Sequence, residues 1–489
     1  NLALGLEASE ILQLDVSGEI GRPLLVDLEI GGIPFALALR SYSVRSDHYH
    51  LIAVGANGAQ VEHDPGPVRT LRGRLLEDPG SLAAGSLMDD GLYATLHMSS
   101  GDVYWLQPLV GVIEGAARDD YVLFHNDDII DTGRLCGADD LPNNTPKLEP
   151  PSGPGTSDFS VKVAELGCDA DFQYFQRWGS VAGVQARINL VINAMDLQYE
   201  RDVAISHEIT TILVRTSGGA PYTSTDPSTL LNQFRAEWLT NQGGIQRDVA
   251  QLFTGKNLNG GVIGVAWLQV ICSNFGFGLV QSDFNNNFAS TTDLSAHELG
   301  HNWAAGHCSC SGWTMNPSIT SANRFHETFT VPSIVAHRNS RGCLGDGDSG
   351  TVLFEEDFAS GDYTTGGWAV KNGRAKIKKV GAAHGFVARL KRVTWIERGI
   401  STVGFSDIRL AYDHRSRNYV AGETLKVRWF DGTKWRVIEQ SVTFGWVHSH
   451  LDFPPAADNN SAFKIRFKTN ATTLAHRRSD VDNVTVLGN

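Results

Sequence analysis

In the first third of the chain, apolar and polar positions alternate in short runs. LLVDLEI (24–30), FALALRSYSV (35–44), TLRGRLL (70–76), YATLHM (93–98) and VYWLQPL (103–109) have the two-residue period of half-buried strands, broken by turn residues. They predict an all-β unit. An acidic polar connector follows, HNDDIIDTGRLCGADDL (125–141), and the first unit is bounded at 1–140. Over 141–158, LPNNTPKLEPPSGPGTSD is dense in Pro and Gly, a composition that resists packing and suits an exposed, cleavable linker. Beyond it the pattern changes. SVKVAEL (160–166) and RINLVINAMDL (187–197) read as strands. DADFQYFQRWGSV (169–181), STLLNQFRAEWLTNQ (228–242) and the segment around His297 read as helices, so 159–349 is expected to be a mixed α/β domain. Residues 350–489 return to short strands, among them VLFEEDF (352–358), FVARLKR (386–392), TLKVRWF (424–430) and FKIRFKT (463–469), which predict an all-β sandwich.

Composition narrows the class. With 42% hydrophobic and 19% charged residues the 489-residue chain can build ordinary cores in several domains. A formal net charge of −13 argues against nucleic acid or an anionic membrane surface as the main partner, since both need basic patches. No stretch approaches the roughly 18 consecutive apolar residues of a membrane span. The opening residues lack a basic, then apolar, leader pattern, so an exported chain's signal peptide would lie outside this numbering. Six cysteines (Cys136, Cys168, Cys272, Cys308, Cys310 and Cys343) include no CxxC pair and favour an oxidising compartment over buried thiols in a reducing one.

The segment TDLSAHELGHNWAAGH (292–307) carries the chemistry. Thr292 or Asp293 is expected to cap a helix. On that helix His297 and His301 stand four residues apart, so both imidazoles project from one face toward one point. Neutral imidazoles suit zinc. Position 305, next on that face, is Ala; Gly306 lets the chain turn, and His307 follows as third ligand. Three protein ligands leave one position for water, as in catalytic rather than structural zinc sites. Glu298, beside the first ligand, is placed to take that water's proton, to drive attack on a scissile carbonyl, and to protonate the leaving amine. Chance placement of this pattern in a chain of this length is on the order of one in a thousand.

HELGHNWAAGH resembles the metzincin zinc signature, and SGWTMNP (311–317) resembles the clan's Met-turn, with Met315 beneath the metal. The resemblance departs at Ala304, where the family usually has Gly; Gly306 is expected to absorb the turn. Within the clan the chain is most similar to reprolysins (the adamalysin/ADAM group). RDVAQLFTG (247–255) and GGVIGVAW (260–267) are similar to the segments around that family's substrate-binding strand. The resemblance implies a zinc metalloendopeptidase acting on extended peptides through Gly264, Val265 and Ala266, with residues Asn316 to Ile319 lining a specificity pocket. It also implies a Ca2+ site from Glu165, Asp248, the carbonyl of Cys343 and Asp346, and a Cys272–Cys343 disulfide. Cys168, Cys308 and Cys310 depart from the family's layout, and the sequence leaves their pairing open. LRGRLLEDPGSLA (71–83), GLYATL (91–96) and YWLQPL (104–109) resemble the reprolysin propeptide. Cys136 in RLCG (134–137) then stands where latent relatives place a cysteine on zinc's open position, with a disulfide role as the alternative.

Together these readings describe a secreted, extracellular protease made as a latent zymogen, its own prodomain acting as inhibitor. A catalytically silent scaffold serving binding or adhesion is the alternative, and a zinc hydrolase of another clan a third reading. The tail resembles a jelly-roll accessory domain. Its acids Glu355, Glu356, Asp357, Asp480 and Asp482 could meet around a second calcium if first and last strands pair, though scattered surface acids explain them better. Trp368, Trp395, Trp429, Trp435 and Trp446 suit core filling before a sugar-binding face; a carbohydrate or protein ligand of this domain stays open. His448 and His450 lack partners at ligand spacing and read as strand or surface residues.

Overall fold

Among the described residues, four β-sheets and five α-helices make up the protein in a computed structural model. It describes residues 1–78, 80–141, 161–346, 351–371, 374–381, 384–406, 408–420, 422–442, 446–471 and 476–488. Most of the expected linker, 142–158, therefore lies outside the described residues.

The first sheet has eight strands, from Leu24–Ile30 at one edge to Glu10–Gln13 at the other, all antiparallel. Alternation places every second residue of Leu24–Ile30 in its core, as the two-residue period requires.

The second sheet is mostly parallel and runs Leu135–Cys136, Val262–Ala266, Phe277–Gln281, Val249–Thr254, Lys162–Ala170, Ile205–Arg215, Arg45–Val54, Gln60–His63. Chain from before residue 141 thus occupies both of its ends. Arg45–Val54 pairs in parallel with Ile205–Arg215, and Leu135–Cys136 in parallel with Val262–Ala266.

Helices α1 (Phe172–Trp178), α2 (Val181–Val203), α3 (Pro227–Asn241), α4 (Phe288–Asn302) and α5 (Thr330–Asn339) accompany this sheet. RINLVINAMDL, expected as a strand, lies in the middle of α2. The helix is buried almost all round because it is packed between the two sheets. Asn193 donates from Nδ2 to the carbonyls of Leu71 and Gly85 in the first sheet, while Ile188, Val191 and Met195 enter the core of the second. A helix covered on every side loses the 3.6-residue signature of a one-faced helix, and its β-branched run then imitates a strand.

The remaining strands form a six-stranded and a five-stranded sheet around one core, with Tyr412, Val484 and Leu410 from one and Phe467, Ile396 and Trp429 from the other. The first and last strands of this unit do pair, Glu356 opposite Val484. Strand Val447–Asp452 contains His448 and His450. The unit touches the first sheet where the Arg74 guanidinium donates to the Ile438 carbonyl at 2.7 Å. Among the described residues no helix is long and apolar enough to cross a membrane.

Candidate metal centre

Helix α4 begins earlier than its sequence suggested. Its cap is Asn287, whose Oδ1 accepts from the Ser290 amide at 3.1 Å, and Thr292 and Asp293 lie inside the helix. Every residue of α4 is buried, so Asp293 is free for a tertiary role. Its carboxylate accepts from Thr314 Oγ1 (2.7 Å) and from the amides of Asn323 (2.9 Å) and Ala322 (3.2 Å), tying the helix to the segment after the third histidine.

One helical turn apart, His297 and His301 bring their Nε2 atoms to 3.1 Å. The chain reverses after Trp303, and here the expectation about the turn fails. Ala304 itself takes the left-handed conformation at φ 79°, while Gly306 has no positive φ. The turn is closed by the Ala304 amide on the His301 carbonyl (2.9 Å) and the Ala305 amide on the Gly300 carbonyl (2.8 Å), which outweigh the roughly 1–2 kcal/mol that this conformation costs a residue with a Cβ. His307 then reaches back, its Nε2 3.2 Å from those of both other imidazoles.

Cys136 completes the group. Its Sγ lies 3.4 Å from His301 Nε2 and 3.5 Å from Glu298 Oε2, and the four donor atoms fall within 4.8 Å of one another. Four donors about a zinc ion with bonds of 2.0–2.1 Å would set imidazole nitrogens about 3.3 Å apart; the separations here are 3.1–3.2 Å. The donor set, three imidazoles and a thiol, is one that zinc prefers. Burial pushes the His297 imidazole down to about 3 and His301 well below its usual range, so both are neutral and have a lone pair to offer. Burial likewise raises the Cys136 thiol, and neighbouring Glu298 adds to that; a bound cation would reverse this by favouring the thiolate.

Outside the donor set each ring is held through its Nδ1. His297 meets the Thr314 carbonyl at 2.6 Å, His301 the Ala305 carbonyl at 2.7 Å, and His307 the Asp139 carboxylate at 2.8 Å. With Nε2 as ligand, Nδ1 carries the hydrogen and donates. Glu298 is fully buried. Burial raises its carboxyl to about 8, and while Oε2 accepts from Cys136, Oε1 has no partner among the described residues. A buried acceptor without a partner on the glutamate next to four convergent donors fits a site built for a ligand better than a structural core.

Glycines make room for this arrangement. A Cβ on Gly264 would collide with the Glu298 carboxylate, and one on Gly300 would sit 2.6 Å from Met315 Sδ. Met315 is buried under α4, where the Met-turn resemblance puts it. The segment before the linker threads between two walls. The Ile319 amide donates to the Arg134 carbonyl (2.9 Å), Cys136 to Pro317 (3.1 Å) and Gly137 to Gly264 (2.9 Å). Val265 and Ala266 pair with Leu279 and Gly278, both buried.

Glu165 and Asp248 lie together at some distance along the sheet. Asp248 Oδ2 accepts from the Glu165 amide at 2.9 Å, and burial pushes its carboxyl up to about 6. Cys272 and Cys343 form a disulfide beside Asp248. Asp346 pairs with Lys162 through its backbone; its side chain is outside the described residues. Cys308 bonds Cys310, a pairing the sequence left open, and Cys168 is a buried free thiol. The acids of the C-terminal unit do not gather: among the described residues Glu355, Glu356, Asp357, Asp480 and Asp482 form no donor cluster. Trp368 and Trp429 fill its core. Sequence reasoning missed Asp139 and Thr314. The first is an acid three residues after Cys136 and was findable once Cys136 was put at the metal; the second acts through its backbone and leaves no sequence signal.

Residues 160–342 match a family model described as metallo-peptidase family M12, Reprolysin_5. The chain is 30% identical over 152 residues to mouse disintegrin and metalloproteinase domain-containing protein 19, covering 30% of this chain and 16% of that protein. It is 28% identical over 255 residues to mouse disintegrin and metalloproteinase domain-containing protein 12, covering 46% and 27%. The chain thus spans about a quarter or less of the length of these relatives. Among solved structures it is similar to metalloproteinase-II from Bacteroides fragilis, with 13% identity, a TM-score of 0.38, and coverage of 66% of this chain and 92% of that one. The domain formed by residues 160–342 is a reprolysin-like metzincin of metallo-peptidase family M12.

Proposed function

We propose that the protein is a secreted zinc-dependent endopeptidase made as a latent zymogen. The observation that carries this is the convergence of His297, His301, His307 and Cys136 on one point beside the unpartnered Glu298 Oε1. Zinc held there would supply Lewis acidity and lower the pKa of a water on its open position. In the latent chain Cys136 would hold that position. Once the segment leaves, Glu298 is the buried carboxylate in reach of an attacking water; it accepts the water's proton and passes it to the departing amine. Burial disfavours its charged form, which makes it a stronger acceptor for the water's proton.

Substrate recognition follows from the same cleft. The Gly264 carbonyl that now accepts from Gly137 is free to bind a substrate backbone after activation, with Val265 and Ala266 holding the strand in register and residues Asn316 to Ile319 forming the opposite wall. Peptides recognised through their backbone allow broad sequence tolerance. In the latent form the strand Leu135–Cys136 runs parallel to Val262–Ala266 and presents a thiol where a scissile carbonyl would sit. Cleavage in 141–158 is the proposed activating event. Ca2+ bound by Glu165, Asp248, the Cys343 carbonyl and Asp346 is proposed as structural, supported by the proximity of the first two and the Cys272–Cys343 bridge. Two disulfides support export to an oxidising compartment.

The test is hydrolysis of casein or a quenched peptide before and after limited proteolysis in the linker, with Glu298→Ala as control. Activity should rise on cleavage, vanish with a zinc chelator, and fall by roughly 10²–10⁴-fold or more in the variant. A cleaved wild type that holds zinc and its fold but turns nothing over would favour the silent scaffold.

A further inference from the structure

The three imidazoles differ in who holds them. The Thr314 and Ala305 carbonyls, which position His297 and His301, belong to the metallopeptidase domain itself. The partner of His307 does not. Asp139 lies three residues beyond Cys136, in the segment that vacates the cleft on activation. Its position is set by that segment's own anchors: the Gly137 amide on Gly264, and the Ala138 amide on Cys136 Sγ at 3.4 Å. Most of the Asp139 side chain is in solvent (77%), so a bond to a free imidazole would be worth little there. On a metal-bound ring it matters more, because a carboxylate on Nδ1–H fixes the ring's tautomer and direction and makes Nε2 a stronger donor.

We propose that Asp139 is a positioning residue for the third metal ligand in the latent chain alone. On this account, the segment contributes twice to the metal: one donor from Cys136 directly, and one oriented ligand through Asp139. Latent protein therefore captures and retains zinc more tightly than the mature domain, and activation removes both contributions together. His307 is the ligand that needs this help, since it follows a turn on a strained alanine instead of standing on α4. The inference rests on the zinc reading above.

The experiment is competition with a chromogenic zinc chelator, using full-length chains that carry Glu298→Gln to prevent self-cleavage. Position 139 is Asp, Ala or Asn, and thermal unfolding of each metal-free chain reports on the fold. Asp139→Ala should weaken zinc binding about 10–100-fold with the metal-free unfolding temperature unchanged. Asp139→Asn, which keeps an acceptor oxygen without the charge, should recover part of the loss. A full-length chain with both Cys136→Ser and Asp139→Ala should bind zinc more weakly still, having lost the thiol donor as well. Zinc affinity in Asp139→Ala within about twofold of the parent would overturn the inference while leaving the zinc reading intact. A parent chain that binds no zinc would overturn both, and the two failures are told apart in the parent alone.

Discussion

The metal centre and the C-terminal sandwich both bury several titratable groups, yet they dispose of them in opposite ways. In the sandwich, charge is matched within the fold. Asp480 receives Arg389 at 2.6 and 2.9 Å and Arg415 at 3.0 Å; Glu423 receives Arg477 at 2.8 Å; Glu397 receives Arg466, whose guanidinium lies over Trp395 and Trp435. Asp482 is the exception there: Oδ2 meets His384 Nδ1 at 3.2 Å, while Oδ1 has no partner among the described residues. At the metal centre the donors point at one another, and Glu298 Oε1 has no partner. Like groups brought together at a cost make sense only around something that repays their desolvation, whereas acid–base pairs need nothing further.

The contrast can be broken from either side. The largest effect is expected for Asp480→Ala, which strands two partly buried guanidiniums. Denaturant unfolding of the sandwich should show a loss of about 3–5 kcal/mol, with zinc content of the metallopeptidase domain unchanged. If zinc were lost too, the two regions would be coupled and the comparison wrong. Gly264→Ala should act the other way, leaving the fold in place but displacing Glu298. Peptide hydrolysis by the cleaved protein should fall on the order of 10²-fold, and an unaffected rate would mean that Glu298 has another position in the active form.

Acidity offers a finer probe. Burial raises Asp293 from 3.8 to about 6, against the pull of its bonds from Thr314 and the Asn323 and Ala322 amides. A folded value above the unfolded one means the native state binds the proton more tightly. The contribution is fully present below pH 3.8 and is lost as pH rises through about 6. The slope in that window should approach ~1.4 kcal/mol per pH unit, and Asp293→Asn should flatten it in stability curves recorded from pH 3.5 to 7.5 on metal-free protein. The smallest change is expected for Ala304→Gly. Relief of the left-handed alanine, offset by the greater entropy of unfolded glycine, should stabilise the domain by up to about 1 kcal/mol. A lower unfolding temperature would show that the Ala304 methyl packs usefully.

Reading by period succeeded where one face of an element is wet. Leu24–Ile30 alternates cleanly and is a strand with alternating burial. It failed for α2, which two sheets cover, and for the cap of α4, where Asp293 looked like a terminus because its bonds to Thr314, Asn323 and Ala322 could not be foreseen. Residues 45–63 fell in the first unit by their place in the chain, inside 1–140. Only the assembled molecule shows them extending the second sheet, since an edge strand carries no label for the sheet it joins.

By itself the sequence determined the local chemistry: two histidines four apart on a helix, a glutamate between them, a third histidine after a turn. Helix geometry alone makes the first two converge, whatever surrounds them. Tertiary structure decided everything that joins distant parts of the chain. It brought Cys136 to within 3.5 Å of a glutamate 162 positions away and set Asp139 on His307. Such contacts depend on how whole sheets pack and which segments close between them, and no spacing along the chain encodes that.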